Sequence, residues 1–202
     1  MPRVGLNRQT VTLAALKAVD DGGVHGFTEL TLAAVAASAG VAVPSLYKHV
    51  ASLADLKRAV ALVAVGQLTE RMSVATVGRA GPQAVQALAE SWRSFALETP
   101  GRYLATQLAA DPEDPADAEL AGAGAAAVSL ISGVLRGFQI PPRLDVDAVR
   151  LVRSAFHGFL TLELNGGFRL SDDLDQSYRR MVKAVVAGLQ QFAVEGLPAK
   201  QS

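Results

Sequence analysis

Apolar residues recur at helical spacing from the eighth residue onward. Over residues 8–21, RQTVTLAALKAVDD, Val11, Leu13, Ala14, Ala15, Ala18 and Val19 lie mostly three or four apart, and Gly22-Gly23 ends the run. Phe27 and Leu30 follow in a short connector as core plugs. Thr31 is placed to cap a second helix, TLAAVAASA, whose buried stripe is Leu32, Val35 and Ala36, and Gly40 stops it. After the turn GVA a third short helix starts near Val43-Pro44, where the missing proline amide costs nothing. Leu46 and Val50, four apart, should face inward. Ser52 opens a fourth helix in the capping-box spacing S-L-A-D, with Asp55 in place of glutamate, running to about Val74 on Leu53, Leu56, Val60, Val63 and Gln67.

The rest of the chain continues in the same period. Gly78 and Gly81-Pro82 mark a break, and the helix that follows carries Val85, Leu88, Trp92 and Phe95 on one face. Thr99-Pro100 ends it and opens another with Tyr103, Leu104 and Leu108. DPEDPAD, residues 111–117, reads as an acidic, solvated turn region, its prolines separating the carboxylates and no histidine nearby to complete a metal site. The small-residue stretch AELAGAGAAAVSLISGVLRGF has glycines suited to close helix approach or to lining a cavity. Two longer helices close the chain, Asp147 to about Asn165 and Asp172 to about Glu195, and the apolar face of the last suits burial against another helix or another subunit.

Composition agrees with an all-α fold, since half the residues are hydrophobic, only 5% are aromatic and alanine is abundant. With no cysteine there is no disulfide framework, thiol chemistry or cysteine-ligated metal. The N-terminal sequence lacks the apolar core of a signal peptide, and no segment is expected to supply the roughly 20 mostly uncharged apolar residues of a membrane helix. These features lead us to expect a soluble, intracellular protein with no membrane partner, no cofactor and no bound metal. The formal net charge is zero, but residues 1–60 hold six basic against four acidic residues and the remainder thirteen against fifteen. A small basic module joined to a larger neutral-to-acidic one fits that asymmetry.

Two short helices joined by a glycine turn and braced by a third describe a helix-turn-helix, whose second helix enters the major groove of DNA. Small or compact Ala42, Val43 and Pro44 let the helix approach base edges and thymine methyls. Ser45 and Lys48 can donate to bases or phosphates, while Tyr47 and His49 suit phosphate oxygens, which fix register without specifying sequence. Pattern alone leaves plain bundle packing open beside DNA binding. No nucleophile stands at readable spacing from a base and an orienting carboxylate, so we expect no catalytic residues and no enzyme.

The run LTLAAVAASAGVAVPSLYKHVASLADL resembles the DNA-binding domain of TetR-family transcriptional regulators across residues 8–60. The resemblance implies phosphate contacts by Thr31, Tyr47 and His49, and major-groove contacts by Val43, Pro44, Ser45 and Lys48. It also implies an N-terminal arm whose Arg3 reaches the adjacent backbone or minor groove. One position departs from the family pattern: Leu53 stands where a phosphate-directed lysine commonly follows the capping serine, leaving Lys57 or the helix amides around Asp55 to compensate.

A second run, RLVRSAFHGFLTLELNGGF, resembles the WHG-type signature of one branch of TetR-family ligand-binding domains, with Phe156 in place of the usual tryptophan and His157, Gly158, Glu163 and Phe168 retained. This implies an all-helical effector and dimerisation domain in which the last two helices of each subunit form a four-helix interface. His157 is open to a structural hydrogen bond, to backbone or Glu163, or to ligand contact. Trp92, Phe95, Tyr103, Leu108, Leu135 and Phe156 are candidate pocket liners beside it. The expected organisation is a three-helix DNA-binding domain over residues 1–52 and a helical effector-binding and dimerisation domain over 53–202. The expected function is a homodimeric repressor, released from palindromic double-stranded operator DNA by a small apolar effector. The alternative is a helical ligand-binding or protein-interaction module whose specific DNA binding is weak or lost.

Overall fold

The computed structural model describes residues 5–171 and 173–195, and every regular element among them is helical. The helices are α1 (Arg8–Asp21), α2 (Leu32–Ala39), α3 (Val43–Leu46), α4 (Leu53–Thr76), α5 (Gly81–Glu98), α6 (Pro100–Ala105), α7 (Ala118–Leu135), α8 (Asp145–Leu164) and α9 (Leu174–Val194), with single 3₁₀ turns between some of them. The all-α expectation holds. The chain forms two compact units, one from residues 1–68 and 95–125, the other from residues 69–94 and 126–202.

In the first unit, α1 begins with a reciprocal cap in which Asn7 Oδ1 accepts from Thr10 N and Thr10 Oγ1 accepts from Asn7 N. Its buried face, Val11, Ala15, Leu16 and Val19, joins Phe27, Leu30, Val35, Leu46, Val50, Leu56 and Val60 in one core. Phe27 and Leu30 are plugs, as their place in the connector predicts. Backbones also approach closely where α6 meets α1: a Cβ built on Gly101 would stand 2.7 Å from the carbonyl oxygens of Val19 and Gly23.

The second unit buries Val85, Leu88, Ala89 and Trp92 of α5, Val149, Val152, Phe156 and Leu160 of α8, and Tyr178, Val182, Val185 and Leu189 of α9. Tyr178 donates its hydroxyl to Ala89 O at 2.8 Å, so the polar end of a buried ring is satisfied. Arg93 is held on several sides, by Glu163 at 3.0 and 2.5 Å, by Asp175 at 2.7 Å and by the face of the Tyr178 ring.

Three expectations need correction. The segment 111–117 is not wholly a solvated loop: Asp117 is buried, accepts from Asp111 N at 2.7 Å and lies 3.4 Å from Arg58 Nε. The sequence pattern missed this because Arg58 is remote along the chain. The expectation of close approach by the glycines of the small-residue stretch holds only at its end: Cβ atoms at Gly122 and Gly124 would meet nothing within 4 Å, one at Gly133 would meet only the Arg136 side chain at 3.3 Å, and one at Gly137 would lie 2.6 Å from Gly81 N. Finally, the helical stretch Pro115–Phe138, 24 residues, is by length and composition long and apolar enough to cross a membrane. Alanine and glycine make it apolar with little side-chain volume, and only 17% of its most apolar window is buried.

Candidate functional site

The segment from α2 to the start of α4 is built by its caps. Thr31 accepts from Ala34 N at 3.1 Å and starts α2. Gly40, at φ 66°, ends it: Gly40 N donates to Ala37 O and Val41 N to Ala36 O, the paired bonds of a Schellman turn. Only glycine takes that left-handed backbone without a Cβ penalty, and the turn aims the chain into α3. Pro44 sits in the first turn of α3. The helix is shorter than its apolar spacing predicts, closing at Leu46 with Tyr47 as its C-cap, after which His49 N and Val50 N both donate to Leu46 O.

Leu46 and Val50 are buried on one side of this segment, while Tyr47, 57% exposed, and Lys48 stand on the other. Ala42 and Pro44 are exposed; Val43, Ser45 and His49 are half-buried; Thr31 is exposed at the head of α2. The structure therefore presents small residues at the approaching end of α3 and a phenol, an ammonium and an imidazole at its far end. Arg3 lies outside the described residues.

The departure at Leu53 has a packing reason, since its side chain is half-buried against the core that contains Leu46 and Val50. The two groups named as compensating for it are engaged within the fold. Lys57 Nζ donates to Thr28 O at 3.1 Å and stands 5.4 Å above the Phe27 ring. Around Asp55, the box expected from the sequence is shifted by one residue: Asp55 N donates to Ser52 Oγ at 3.0 Å, but the Asp55 carboxylate accepts from Ala51 N at 2.9 Å. The same carboxylate takes both nitrogens of Arg8, at 2.8 and 2.7 Å, and this pairing with Arg8 holds it down to about 2. The N-terminus of α1 is thus tied to the N-terminus of α4, directly after α3.

The effector candidates fall in both units. In the second, Phe156 and His157 both stand edge-on to Trp92, with centroids at 5.7 and 4.9 Å. Trp92 Nε1 is buried without a hydrogen-bond partner. Burial, with a smaller contribution from Arg153, pushes the His157 imidazole down to about 4, so it is neutral at pH 7. Glu163, named as a partner for His157, gives its carboxylate to Arg93. Leu135 is buried in this unit as well. Phe95 and Tyr103 are buried in the first unit, where Leu108 is half-buried against the α1–α4 core.

The first unit also contains a cavity of about 610 Å³ between α1, α4, α6 and the start of α7, with walls that include Leu13, Leu16, Leu62, Val63, Leu120 and the charged groups Arg8, Asp20, Arg58, Arg102 and Glu119. A smaller recess in the second, about 190 Å³, lies between α5 and α9 and is lined by Gln86, Glu90, Tyr178 and Lys183 among others. None of the seven effector candidates lines either cavity. Sequence reasoning had no signal for the larger one, because the bonds that shape it, such as Arg102 to Asp20 and Gln67, join residues far apart in the chain. Among the described residues no cluster of three or more histidines and carboxylates is arranged for a metal ion.

Comparison with known proteins gives a consistent outcome. Residues 85–185 match a family model described as "Tetracyclin repressor-like, C-terminal domain". An uncharacterized HTH-type transcriptional regulator of Mycobacterium tuberculosis, Rv0681, is 32% identical over 194 residues, covering 95% of this chain and 85% of its own length. Another uncharacterized HTH-type transcriptional regulator, YobS of Bacillus subtilis, is 28% identical over 190 residues, covering 93% and 95%. Among solved structures, the transcriptional regulator SCO7222, a TetR from Streptomyces coelicolor, superposes with a TM-score of 0.70 at 15% identity, covering 94% of this chain and 100% of its own.

Proposed function

This chain belongs to the TetR family of transcriptional regulators, and from that membership we propose a homodimeric repressor that holds a palindromic operator and is released by a small apolar effector. TetR-family regulators are non-enzymatic DNA-binding proteins, so the chain is a transcriptional regulator and not an enzyme. The observation that carries the finer reading is the two-sided segment 43–50, where Leu46 and Val50 seal the core while Tyr47 and Lys48 face outward beside His49. Ala42, Val43, Pro44, Ser45 and Lys48 read the major groove, and Thr31, Tyr47 and His49 hold phosphates. Arg3 adds an arm contact. Lys57 joins them only by giving up Thr28 O, so the backbone grip rests on the far end of α3.

The DNA-binding domain is residues 1–52 and the effector and dimerisation domain residues 53–202, in the branch with a WHG-type signature. The Trp92–Phe156–His157 cluster and the unpartnered Trp92 Nε1 support an effector site near α8. Dimerisation through α8 and α9 is supported by faces left open on both: Ser154, Gly158 and Leu162 on one, Ala184, Gln191 and Val194 on the other. A repressor of this kind works in the cytoplasm, on the nucleoid.

Operator selection from random duplexes tests the reading. Purified protein should enrich a palindrome, bind it with two protomers per site, and lose affinity on substitution of Tyr47→Phe with His49→Ala, with a shallower dependence on salt concentration. A monomer that enriches no sequence would instead identify a helical ligand-binding module that has lost specific DNA binding.

A further inference from the structure

We propose that the cavity between α1, α4, α6 and α7 takes an uncharged, largely apolar organic molecule whose acceptor oxygen is held by Arg58. This goes beyond the regulatory reading, whose effector site lies near α8 in the other unit. The volume, about 610 Å³, is in the range of small-molecule sites, and Leu13, Leu16, Leu62, Val63 and Leu120 supply apolar wall.

The charges of the lining are already matched. Asp55 takes Arg8 bidentately, and Glu119 acts on the same guanidinium. Asp20 takes Arg102 bidentately, Gln67 accepts from the third nitrogen of that side chain, and Lys17 donates to Asp21, which stands outside the lining. Arg58 has the charge of Asp117, buried and also outside the lining, beside it. A ligand ion of either sign would give up its hydration without meeting an unmatched charge.

Hydrogen bonding at Arg58 is less complete. Asp117 Oδ1 stands 3.4 Å from its Nε and Asp114 Oδ2 stands 3.6 Å from its Nη1, and Asp117 Oδ1 is buried with no hydrogen-bond partner. Among the described residues, Arg58 is thus the one lining cation that makes no hydrogen bond. Its side chain is only 25% exposed, so solvent replaces the missing acceptors poorly. A carbonyl oxygen supplies an acceptor and adds no charge, while the carbon body attached to it covers the leucines.

Benzophenone and diphenylmethane share a shape and differ by a carbonyl oxygen, so equilibrium dialysis of the full chain with each, without DNA, isolates the acceptor. Benzophenone should bind at one site per chain, and more tightly than the charged analogues para-benzoylbenzoate and para-(aminomethyl)benzophenone. Arg58→Met, which keeps the reach of the side chain and removes its donors, should weaken benzophenone about tenfold and leave diphenylmethane unchanged. Leu13→Trp, at a side chain already 58% exposed, should weaken both probes by taking up cavity volume. Two readouts on the unaltered chain stand whether or not the arginine variant folds. The isotope-labelled carbonyl of bound benzophenone should absorb at lower infrared frequency than in hexane, and irradiation should leave its covalent label on peptides of α1, α4, α6 or α7. Arg58→Met acting equally on both probes or on neither, tighter binding of a charged analogue, an unshifted carbonyl, a label elsewhere, or no saturable binding up to the solubility limit overturns the proposal. Because no DNA is present, failure here leaves the operator reading standing, and failure of operator selection leaves this site standing.

Discussion

His157 carries the clearest consequence at the scale of a single residue. Its imidazole is held down to about 4 by burial, with Arg153 one turn away on α8 adding to the effect. In the unfolded chain the same group takes its proton near 6.5. Between those values the unfolded state binds more protons than the folded one, so stability must fall as pH drops from about 6.5 to about 4. Thermal unfolding followed across that window should show the midpoint falling, and His157→Gln should flatten the slope; an unchanged slope would mean the imidazole is not protected in the fold. Asp55 does not interfere, because its carboxylate stays ionised until about 2 and its contribution is lost only as pH falls from its ordinary range towards that value. Each of these residues was visible in the sequence for a different task. The sequence offers Glu163 as a partner for His157, but that carboxylate belongs to Arg93, 70 positions away. The local spacing makes Asp55 half of a capping box, yet its strongest partner is Arg8, 47 positions away.

Elements set by local chemistry were legible to within a residue or two. The bounds of α1, the Thr31 cap and the Gly40 stop all follow from side chains acting on nearby backbone, so spacing alone finds them. The single turn of α3 was less legible, because its end depends on how Leu46 and Val50 reach a core built from other helices. The meeting of α6 with α1 left no periodic trace, since glycine at position 101 reads only as an ordinary residue after proline. Gly101→Ala would drive a methyl into the carbonyl oxygens of Val19 and Gly23 at 2.7 Å and should cost about 1–3 kcal/mol in chemical denaturation. Gly124→Ala, on α7 with open space around it, should be neutral or stabilise by up to about 1 kcal/mol. Similar losses at both positions would show that the α6–α1 approach is not as close as described.

For the whole molecule, the family was legible early because its DNA-binding signature is short and local, whereas the effector site was not. Pocket candidates chosen for size and aromaticity are mostly solid core, with Phe95, Tyr103 and Phe156 at 0–1% exposure. Assembly is the property a lone chain leaves most open, and Gly158 offers a direct probe of it. A side chain there meets nothing within 4 Å in the isolated subunit. Gly158→Arg should therefore leave the fold and its thermal midpoint nearly intact while converting the proposed dimer to a monomer in light scattering; a variant that stays dimeric would move the interface away from α8. The α6–α1 contact has a mechanical consequence as well. Contacts made through long side chains are compliant, because rotamers swing and absorb a shift before the backbone beyond them moves. At Gly101 the backbone of α6 meets the carbonyl oxygens of Val19 and Gly23 directly, with only the short, stiff Val19 side chain beside them, so the joint has little slack, and a displacement of α6 reaches α1 nearly undiminished.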